Sequence, residues 1–337
     1  MFIKYNSITN LSDKVIRKVV TQGLSGGEWI ALEKIHGANF AFYHNGTDTW
    51  TAKRTQIVGG DGSSFFSSNL IRKYYDGVEA IYKNMLESAM IEPEDIIVVY
   101  GELFGGHFFG KTESGASSVF PTVNYHPSNE FCVFDIKIEP FYEVGESYYL
   151  SYNEMIEMVG DHIPTVPIIA RGSFKDVCNV DLNFTSKVPA LFGLDGKNSQ
   201  TEGVVIRPVD GERYAGQHRC IFKHKNEAFV KNSPKPRPSF SIPEEVKPVF
   251  EEISGMINVH RIESVISKEG EISWSKFGKV QGAVLTDAKE EYETAHEVDL
   301  KKTKVWGQIS KSLGRLSAEL VQEYFKEHVD DFGTTQS

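Results

Sequence analysis

The sequence predicts an α+β fold of mostly antiparallel sheets with flanking helices, followed by a small all-α domain. Between residues 29 and 230, short apolar or alternating runs recur and are bounded by Gly, Pro, Asn or Asp, which is typical of strands joined by turns. Amphipathic stretches with helical spacing lie between these runs. After residue 243, apolar residues recur at intervals of three and four, which indicates helices.

Four runs are the clearest strand candidates because turn residues bound each of them. They are DIIVVYGELFGG at 95–106, EFCVFDIKIEP at 130–140, EGVVIRPVDGE at 202–212 and RCIFKHKNEAF at 219–229. A helix is predicted over residues 70–90, where apolar side chains follow helical spacing.

The segment KNSPKPRPSFSIPEE at 231–245 interrupts both patterns. Its prolines disfavour the interior of helices and of sheets, so we predict a semi-rigid linker. The sequence therefore divides into a larger domain at residues 1–232, a proline-rich linker at 233–242 and a helical domain at 243–337.

Composition and charge narrow the class of protein. The chain has 337 residues, of which 40% are apolar and 24% charged, which is ordinary for a globular protein of two domains. Its net charge of −10 argues against non-specific coating of nucleic acid, which depends on phosphate neutralisation by Lys and Arg. Basic residues concentrate at 219–237, as a focused phosphate track requires, and a solvated basic surface explains them equally well.

The start of the sequence has no secretory signal, and no long apolar run follows, so we expect a cytoplasmic protein without a membrane partner. The three cysteines lie far apart and lack the C-x-x-C spacing of a zinc site. Of these, Cys132 and Cys220 are expected to pack as small hydrophobic residues.

A lysine ends the strand candidate GEWIALEK at 27–34. Strand alternation turns Lys34 to the same face as Ile30 and Leu32, which are expected in the interior. Burial of an unpaired ammonium costs several kcal/mol or removes its proton. Lys34 is therefore predicted to be either paired, or neutral and nucleophilic.

Four further charged residues share a strand face with apolar neighbours, namely Glu102, Glu202, Lys223 and Lys225. Glu202, for example, is in phase with Val204 and Ile206. One such residue is usually a harmless charge at a strand end. Uncompensated burial of five would exceed the ~5–15 kcal/mol that stabilises a domain, so we predict that they converge on each other and on a ligand.

Lysines of this kind suit a phosphate, and the carboxylates suit a divalent metal or ribose hydroxyls. In VFDIKI, Phe134 is an aromatic residue suited to stacking on a base, and a place in the ordinary sheet core is the alternative. Asp135 is expected on the opposite face of that strand, where it is free to anchor the site from behind.

Six short segments then match a known order of motifs. EKIHGANF (33–40), AKRT (52–55), YGELFG (100–105), VFDI (133–136), EGVVIRP (202–208) and FKHKN (222–226) resemble the nucleotidyltransferase motifs of covalent-lysine ligases. The K-x-H-G form resembles the RNA ligase 2 family of bacteriophage double-strand RNA ligases and kinetoplastid editing ligases. Segments 260–272 and 277–291 resemble the helical carboxy-terminal domain of that family.

The resemblance implies an ATP-grasp-like nucleotidyltransferase domain and three chemical steps. Lys34 attacks the α-phosphate of ATP, the AMP passes to an RNA 5′-phosphate, and a 3′-hydroxyl expels AMP to seal a nick in duplex RNA. ATP and Mg²⁺ or Mn²⁺ are thus the implied cofactors. Nicked duplex RNA is the implied partner of a monomeric RNA ligase.

Roles at the nucleotide follow from the same resemblance. Lys34 is the nucleophile, Glu102 binds the ribose and Phe134 stacks on adenine. Glu202 acts at the metal. The remaining residues implied at the nucleotide are Glu33, Ile35, Arg54, Lys223 and Lys225, of which the last two hold the phosphate during catalysis.

Roles at the RNA are also implied. Arg54 contacts the 5′-phosphate as well as the nucleotide, and His36 and Asn39 serve the later catalytic steps. Arg261 and Asp287 recognise RNA in the helical domain. A turn histidine that bonds the local backbone is the alternative for His36, and a surface ion pair is the alternative for Arg261 and Asp287.

The sequence departs from the family pattern at two positions. Ala38 stands where threonine is frequent in the bacteriophage relatives, so a hydroxyl role there is absent or is supplied elsewhere. Arg207 stands where lysine is frequent, which keeps the charge but replaces a point charge by a planar fork.

Two other functions compete with an RNA ligase. A DNA ligase or a GTP-using capping enzyme would share Lys34, but the histidine of K-I-H-G and a helical domain in place of a strand-rich OB-fold count against both. A catalytically silent RNA-binding repair protein is the second alternative, and the complete charged set counts against it.

Overall fold

The computed structural model describes residues 2–58, 65–141, 146–216, 218–226, 242–270 and 272–328. By its contacts the chain divides into two compact units, Met1–Phe229 and Val230–Ser337. Apart from Ile242, the predicted linker lies outside the described residues, as does the basic stretch beyond residue 226. The predicted domain boundaries therefore stay a prediction.

Strands of the larger unit form two sheets and a short hairpin. They are β1 (Thr9–Asn10), β2 (Trp29–Glu33), β3 (Ala38–His44), β4 (Thr49–Lys53), β5 (Gln56–Ile57), β6 (Ile96–His107), β7 (His126–Glu139), β8 (Tyr148–Tyr149), β9 (Ile168–Gly172), β10 (Gly203–Pro208), β11 (Tyr214–Ala215), β12 (His218–Arg219) and β13 (Phe222–Lys225). One sheet has the order β1-β13-β10-β2-β9 and the other β5-β4-β3-β6-β7-β8. Only β1 and β13 pair in parallel among these described strands, so the predicted α+β class with mostly antiparallel sheets is confirmed.

Helices of the larger unit are α1 (Asp13–Thr21), α2 (Tyr75–Glu87), α3 (Tyr152–Val159), α4 (Phe174–Cys178) and α5 (Val188–Leu191). Side chains that bond the free backbone N–H groups of a first turn explain where two of them begin. Capping boxes of this kind start α3 with Ser151 and Glu154, and α4 with Ser173 and Asp176.

The helix predicted over residues 70–90 is present in two parts. A 3₁₀ helix spans Ser68–Tyr74, and α2 follows it directly. Lys73 Nζ and Tyr74 Oη lie 2.6 and 2.5 Å from the carboxylate of Glu130 in β7. The first turns of the predicted helix thus contact the sheet and form a 3₁₀ helix instead of an α-helix. The spacing of apolar residues could not indicate this change.

Helices cover the outer face of each sheet. On the five-stranded sheet, α1 and α4 pack on an apolar cluster of Val19, Trp29, Ala31, Phe174, Val177, Val204, Ile206 and Phe222. On the six-stranded sheet, Phe42 of β3 makes edge contacts with Tyr75 of α2 and Phe131 of β7. Both outer faces are therefore occupied by ordinary hydrophobic packing.

The inner faces of the sheets meet each other, and Arg207 of β10 joins them. Its Nη1 donates to the carbonyl of Phe134 at 3.2 Å and to Asp135 Oδ1 at 3.1 Å, both in β7. A second apolar cluster lines the inner face of the six-stranded sheet and contains Tyr5, Ala41, Tyr43, Ala52, Val98, Tyr100 and Tyr149. The predicted strand lysines and carboxylates belong to this inner space.

The smaller unit is helical throughout its described part. Its α-helices are α6 (Lys247–Met256), α7 (Val259–Glu269), α8 (Phe277–His296) and α9 (Lys304–His328). Buried apolar residues at helical spacing form its core, among them Phe250, Ile253, Ile262, Val284, Leu313 and Leu320. The predicted all-α carboxy-terminal part is confirmed. Among the described residues, no helix is long and apolar enough to span a membrane.

Candidate active site

Lys34 follows β2 and lies on a buried carboxylate. Its backbone N–H donates to the carbonyl of Gly203 at 2.9 Å, which fixes the residue against the start of β10. Its Nζ lies 2.6 Å from Glu202 Oε2, and its side chain keeps 22% exposure. Of the two alternatives that the sequence left, the structure shows the paired one, with the amine still accessible from solvent.

Glu202 carries three basic partners. Besides Lys34, Lys225 Nζ lies 3.4 Å from Oε1, and His36 Nδ1 lies 3.2 Å from Oε2. Burial by itself raises the pKa of this carboxyl, but Lys34, Lys225 and His36 outweigh that effect and hold the pKa well below its usual range. Glu202 is therefore an anion at neutral pH that gathers the cations around it.

Strand alternation is wrong for Glu202. Alternation places this side chain with Val204 and Ile206, whose side chains pack in the outer cluster, on the face away from Lys34. The strand begins only at Gly203, where φ is +142°, and a Cβ there would lie 2.1 Å from the carbonyl oxygen of His224. Only glycine fits this turn, and it redirects Glu202 to the inner face.

Glu102 lies opposite Asn39 in the pairing of β6 with β3, so their side chains share the inner face. Gly37 packs directly on it, since a Cβ at that position would lie 2.7 Å from Glu102 Cγ. Burial raises the pKa of Glu102 to about 7 against the opposing charge of Lys34, and the charge of Glu202 adds to the rise. The structure thus brings Glu102 and Asn39 to the lysine, as predicted.

Two aromatic residues hold His36 in place. The Phe120 ring stacks on the imidazole with centroids 4.2 Å apart, and the Tyr125 hydroxyl accepts the His36 backbone N–H at 3.2 Å. His36 is therefore more than a turn histidine, because its ring is both packed and bonded to Glu202. Sequence reasoning missed Phe120 and Tyr125, which lie in an irregular segment without a local signal.

Two more predicted residues lie on the same side. Lys223 is half-buried and pairs with Val205 of β10, two positions from Lys225, so both lysines share the inner face of β13. Arg54 follows β4 and donates to the Ser7 hydroxyl at 3.2 Å, and its charge offsets part of the rise in the pKa of Glu102. The structure therefore gathers the predicted cations of β4 and β13 around the two carboxylates.

The expected separation of Phe134 and Asp135 onto opposite faces is wrong. In the pairing of β6 with β7, Tyr100 faces Asp135 and Gly101 faces Val133, which leaves Phe134 as the extra residue of a bulge. Both side chains consequently meet Tyr5. The Phe134 ring lies 5.1 Å from the Tyr5 ring, and the Tyr5 hydroxyl donates to Asp135 Oδ2 at 2.9 Å.

Asp135 is also the centre of a buried ion-pair network. Arg207 and Arg219 contact its two oxygens at 3.1 and 2.8 Å. Arg207 Nη2 further donates to the Leu150 carbonyl at 3.1 Å. The pKa of Asp135, which burial alone would raise, is lowered by the two arginines. This explains the arginine at 207, because a planar fork reaches several acceptors that a single ammonium does not.

Glu33 does not join the group around Lys34. Its Oε2 accepts the backbone N–H of Lys187 at 2.8 Å, and its buried Oε1 has no hydrogen-bond partner among the described residues. Burial raises the pKa of Glu33 to about 7. The Glu33 side chain lies on the outer face with its strand partner Val204, so a nucleotide contact by this residue stays a prediction. Ile35 is buried between Lys34 and His36.

In the helical unit, Arg261 and Asp287 form an internal ion pair. The Arg261 guanidinium contacts Asp287, lies 2.6 Å from Glu291 and donates to the Met256 carbonyl at 2.6 Å. Its side chain is 9% exposed. The ion-pair alternative therefore describes the geometry, and RNA recognition by these residues stays a prediction.

Glu102 and Glu202 fit a divalent cation. They lie close enough for the charge of Glu202 to raise the pKa of Glu102. Carboxylate oxygens are the ligands that Mg²⁺ and Mn²⁺ prefer, and a cation between two carboxylates relieves their repulsion. The chemistry of these donors fits the metal role predicted for Glu202, which stays a prediction, and Glu102 is a second carboxylate suited to the same ion.

The two sheets and the enclosed charged residues define a protein of the nucleotidyltransferase class. The family described as RNA ligase matches residues 27–225, which is more than half of the chain. The family described as T4 RNA ligase 2 C-terminal matches residues 240–319. The chain belongs to the RNA ligase family.

Two curated relatives come from Trypanosoma brucei brucei. RNA-editing ligase 2, mitochondrial, is 28% identical over 231 residues, which is 61% of this chain and 55% of the relative. RNA-editing ligase 1, mitochondrial, is 27% identical over 237 residues, which is 62% of this chain and 50% of the relative. The chain thus spans about half the length of the curated relatives it matches.

Solved structures with a similar fold include RNA ligases of Naegleria gruberi. A mutant with ATP and Mn is 15% identical, with 67% of this chain and 57% of that chain covered and a TM-score of 0.41. The ligase with PPi is 17% identical, with 68% and 57% covered and a TM-score of 0.38.

Proposed function

We propose that this protein is an ATP-dependent RNA ligase that seals 3′-hydroxyl/5′-phosphate nicks in duplex RNA through a lysyl-AMP intermediate. One observation carries the proposal: the accessible amine of Lys34 lies 2.6 Å from the Glu202 carboxylate, which also binds Lys225. A solvent-accessible lysine held by a carboxylate that also binds a second lysine is suited to attack a phosphate. Family membership gives the reaction its class.

In the first step, the Lys34 ammonium gives one proton to solvent, and the resulting amine attacks the α-phosphorus of ATP. A P–N bond forms, the bond to pyrophosphate breaks, and the amine loses its remaining extra proton to solvent. Glu202 orients the amine before attack, because their ion pair fixes Nζ on the inner face of the sheet. Lys223 and Lys225 stabilise the negative charge that develops on the departing pyrophosphate.

Recognition of ATP uses the remaining inner-face residues. Phe134 offers a half-buried ring for adenine, and the Glu102 carboxylate accepts hydrogen bonds from the ribose hydroxyls when it is ionised. Glu102 and Glu202 would hold a divalent ion, which neutralises phosphate charge when bound. Ala38 supplies no hydroxyl, so Asn39 is the polar group of β3 nearest to this chemistry.

The later steps use RNA as the substrate. AMP passes from Lys34 to the RNA 5′-phosphate, and the 3′-hydroxyl then attacks that phosphate and expels AMP. Arg54 is exposed enough to bind the incoming 5′-phosphate, and its charge already acts on Glu102. His36 and Asn39 flank the same place on the inner face. A monomeric state and a cytoplasmic location stay predictions.

Labelled nucleotides test the proposal directly. The protein is incubated with ATP or GTP labelled at the α-phosphate and a divalent metal, and covalent label is detected after denaturing electrophoresis. We expect label from ATP only, lost in Lys34→Ala and retained in the control Lys197→Ala, whose side chain is 85% exposed. Label from GTP would favour a capping enzyme, and label on Lys34→Ala would refute the assigned nucleophile.

Substrate class needs a second assay. Three 5′-adenylylated substrates are offered to the protein: a nicked RNA duplex, a nicked DNA duplex and a single-stranded RNA. Salt is matched, since phosphate contacts depend on ionic strength. We expect sealing of the RNA duplex. Covalent labelling without sealing of any strand would contradict a ligase, and preference for the DNA duplex would assign a DNA ligase instead.

A further inference from the structure

A two-residue turn beyond β6 carries an exposed aromatic ring. Phe108 and Lys111 exchange backbone hydrogen bonds of 2.8 and 3.0 Å and close a turn around Phe109 and Gly110. The Phe109 side chain is 48% exposed, which places it among the most exposed large apolar residues of the described chain. The Phe108 ring contacts it edge-on, with centroids 4.9 Å apart.

This turn has an unfavourable residue at its first central position. Phe109 and Gly110 have φ of +46° and +80°, the pattern of a type I′ turn, in which both central residues are left-handed. Asn, Asp and Gly are preferred at the first position, because a bulky side chain is strained there. Phe109 has this strained conformation, and only about half of the residue is buried. Stability of the fold therefore does not explain why phenylalanine occupies this position.

Hydrogen bonds connect the turn to the segment that holds His36. The Phe109 N–H donates to Asn124 Oδ1 at 2.6 Å, and Asn124 precedes Tyr125, whose hydroxyl binds the backbone of His36. The Asn124 carbonyl in turn accepts the Ser199 hydroxyl at 2.7 Å. The turn is therefore a fixed extension of the segment that holds His36 beside Lys34.

The surroundings of Phe109 suit a polyanion with flat faces. Lys111 is exposed at the other end of the turn, and His107, which is half-buried, comes just before the turn. The acidic residue nearest to Phe109 in the sequence is Glu113. A ring beside a lysine combines base stacking with phosphate attraction, which is how proteins bind nucleic acid strands without reading their sequence.

We propose that Phe109 is an RNA-binding residue that stacks on a base of the substrate exposed at the strand break. This inference rests on the proposed ligase function and adds a substrate contact that lies outside the nucleotide pocket. The strained turn presents the ring, Asn124 fixes its position relative to His36, and Lys111 attracts the adjoining phosphate. A second copy of the chain seated on the ring is the competing occupant, and the test includes it.

Phe109→Asn is the decisive variant, because asparagine favours the left-handed conformation but cannot stack. We expect it to raise the melting temperature by about 2–4 °C, since backbone strain is released. Its affinity for a nicked RNA duplex should fall at least about fivefold, the lower limit for the loss of one stacked base. Phe109→Trp should retain the affinity, and its added tryptophan fluorescence should be quenched by the nicked duplex.

The control is Phe141→Asn, which removes another exposed phenylalanine of the same unit, 58% exposed. It should leave RNA affinity unchanged. Self-adenylylation with ATP is measured in parallel and should be the same in every variant. If the ligase proposal itself is wrong, the unmodified protein will not show this reaction.

Three results would overturn the inference. Unchanged affinity of Phe109→Asn for the nicked duplex, with a raised melting temperature, would show that the ring is merely strained surface. A fall in molecular mass by light scattering in Phe109→Asn, without a change in RNA affinity, would assign the ring to contact between copies of the chain. Equal loss of affinity for nicked and intact duplexes would exclude stacking at the strand break.

Discussion

The carboxylate of Glu202 lies 2.6 Å from the amine of Lys34, although regular alternation along their paired strands directs the two side chains to opposite faces. Gly203 produces this relationship, because its φ of +142° redirects the chain at the first residue of β10. The site thus depends on the backbone conformation of Gly203, a residue that has no side chain to bind or react. This makes Gly203 a positioning residue for the nucleophile.

Substitution of Gly203 tests that dependence. In Gly203→Ala, the added Cβ would lie 2.1 Å from the carbonyl oxygen of His224, so β10 and β13 must move apart or Glu202 must turn away. We expect self-adenylylation to slow roughly 100-fold, the effect of misplacing a reacting group by about 1 Å. Gly26→Ala is the control, since a Cβ there meets no atom within 4 Å. A normal rate in Gly203→Ala would refute the positioning role.

Lys225 is expected to act in catalysis as well as in the resting ion pair. Lys225→Met keeps much of the side-chain volume and removes the charge that stabilises departing pyrophosphate. The rate of adenylylation in a single turnover should fall by about 10²–10³, as for the loss of one preorganised donor. The affinity for ATP, measured separately by equilibrium binding, should fall much less. An equal loss in both quantities would indicate simple ground-state binding.

Glu102 should give adenylylation an inflection in its pH profile. Because burial raises the pKa of Glu102 to about 7, the carboxyl is largely protonated below that pH and ionised above it. If the ionised form binds ribose or metal, the rate rises through a midpoint near pH 7. Glu102→Gln should be slower and should lack this inflection. Persistence of the inflection in Glu102→Gln would assign it to another group.

Glu33 should make folding stability depend on pH. Its pKa of about 7 in the folded protein exceeds the ordinary 4.5, so between these values the folded state binds more protons than the unfolded state. Stability from this group is therefore lost as pH rises from about 4.5 to 7 and stays level above that. Glu33→Gln should remove this dependence, which amounts to on the order of 3 kcal/mol.

Urea unfolding at about pH 5 and pH 8 measures the effect of Glu33→Gln. The exposed Glu157→Gln serves as the control and should follow the parent protein at both values. A parallel pH dependence in the parent and in Glu33→Gln would show that the Glu33 carboxyl ionises equally easily in the folded and unfolded chain.

Asp135 should be a major contributor to stability. Asp135→Asn leaves the buried guanidinium groups of Arg207 and Arg219 without their shared counter-charge, and removal of one partner from such a network costs about 3–5 kcal/mol. Arg207→Lys should also destabilise, because one ammonium cannot reach the Phe134, Asp135 and Leu150 acceptors together.

Chemical denaturation compares these variants with the exposed control Asp161→Asn. A cost below about 1 kcal/mol for Asp135→Asn would mean that solvent reaches the network. Adenylylation by Arg207→Lys, measured below its melting temperature, then reports whether the link between the sheets also positions Phe134.

Local patterns determined much of this protein. Turn residues and apolar runs located the strands that carry Glu102 and Lys225, and helical spacing located the carboxy-terminal helices. Strand alternation placed Lys34 on an inner face. These features follow from period and composition within a short window, where neighbouring residues alone set the environment.

Tertiary structure decided the remainder, because the regular period fails at a bulge or a left-handed glycine and contacts between distant segments leave no local signal. Alternation was wrong for Glu202, which Gly203 redirects, and for Phe134 and Asp135, which a bulge brings to the same aromatic neighbour. The hydrogen bond from the His36 backbone N–H to the Tyr125 hydroxyl joins residues 89 positions apart. Such contacts form only when the sheets pack, because buried charged and aromatic side chains then need partners. Those partners lie far away in the sequence, so no local pattern identifies them.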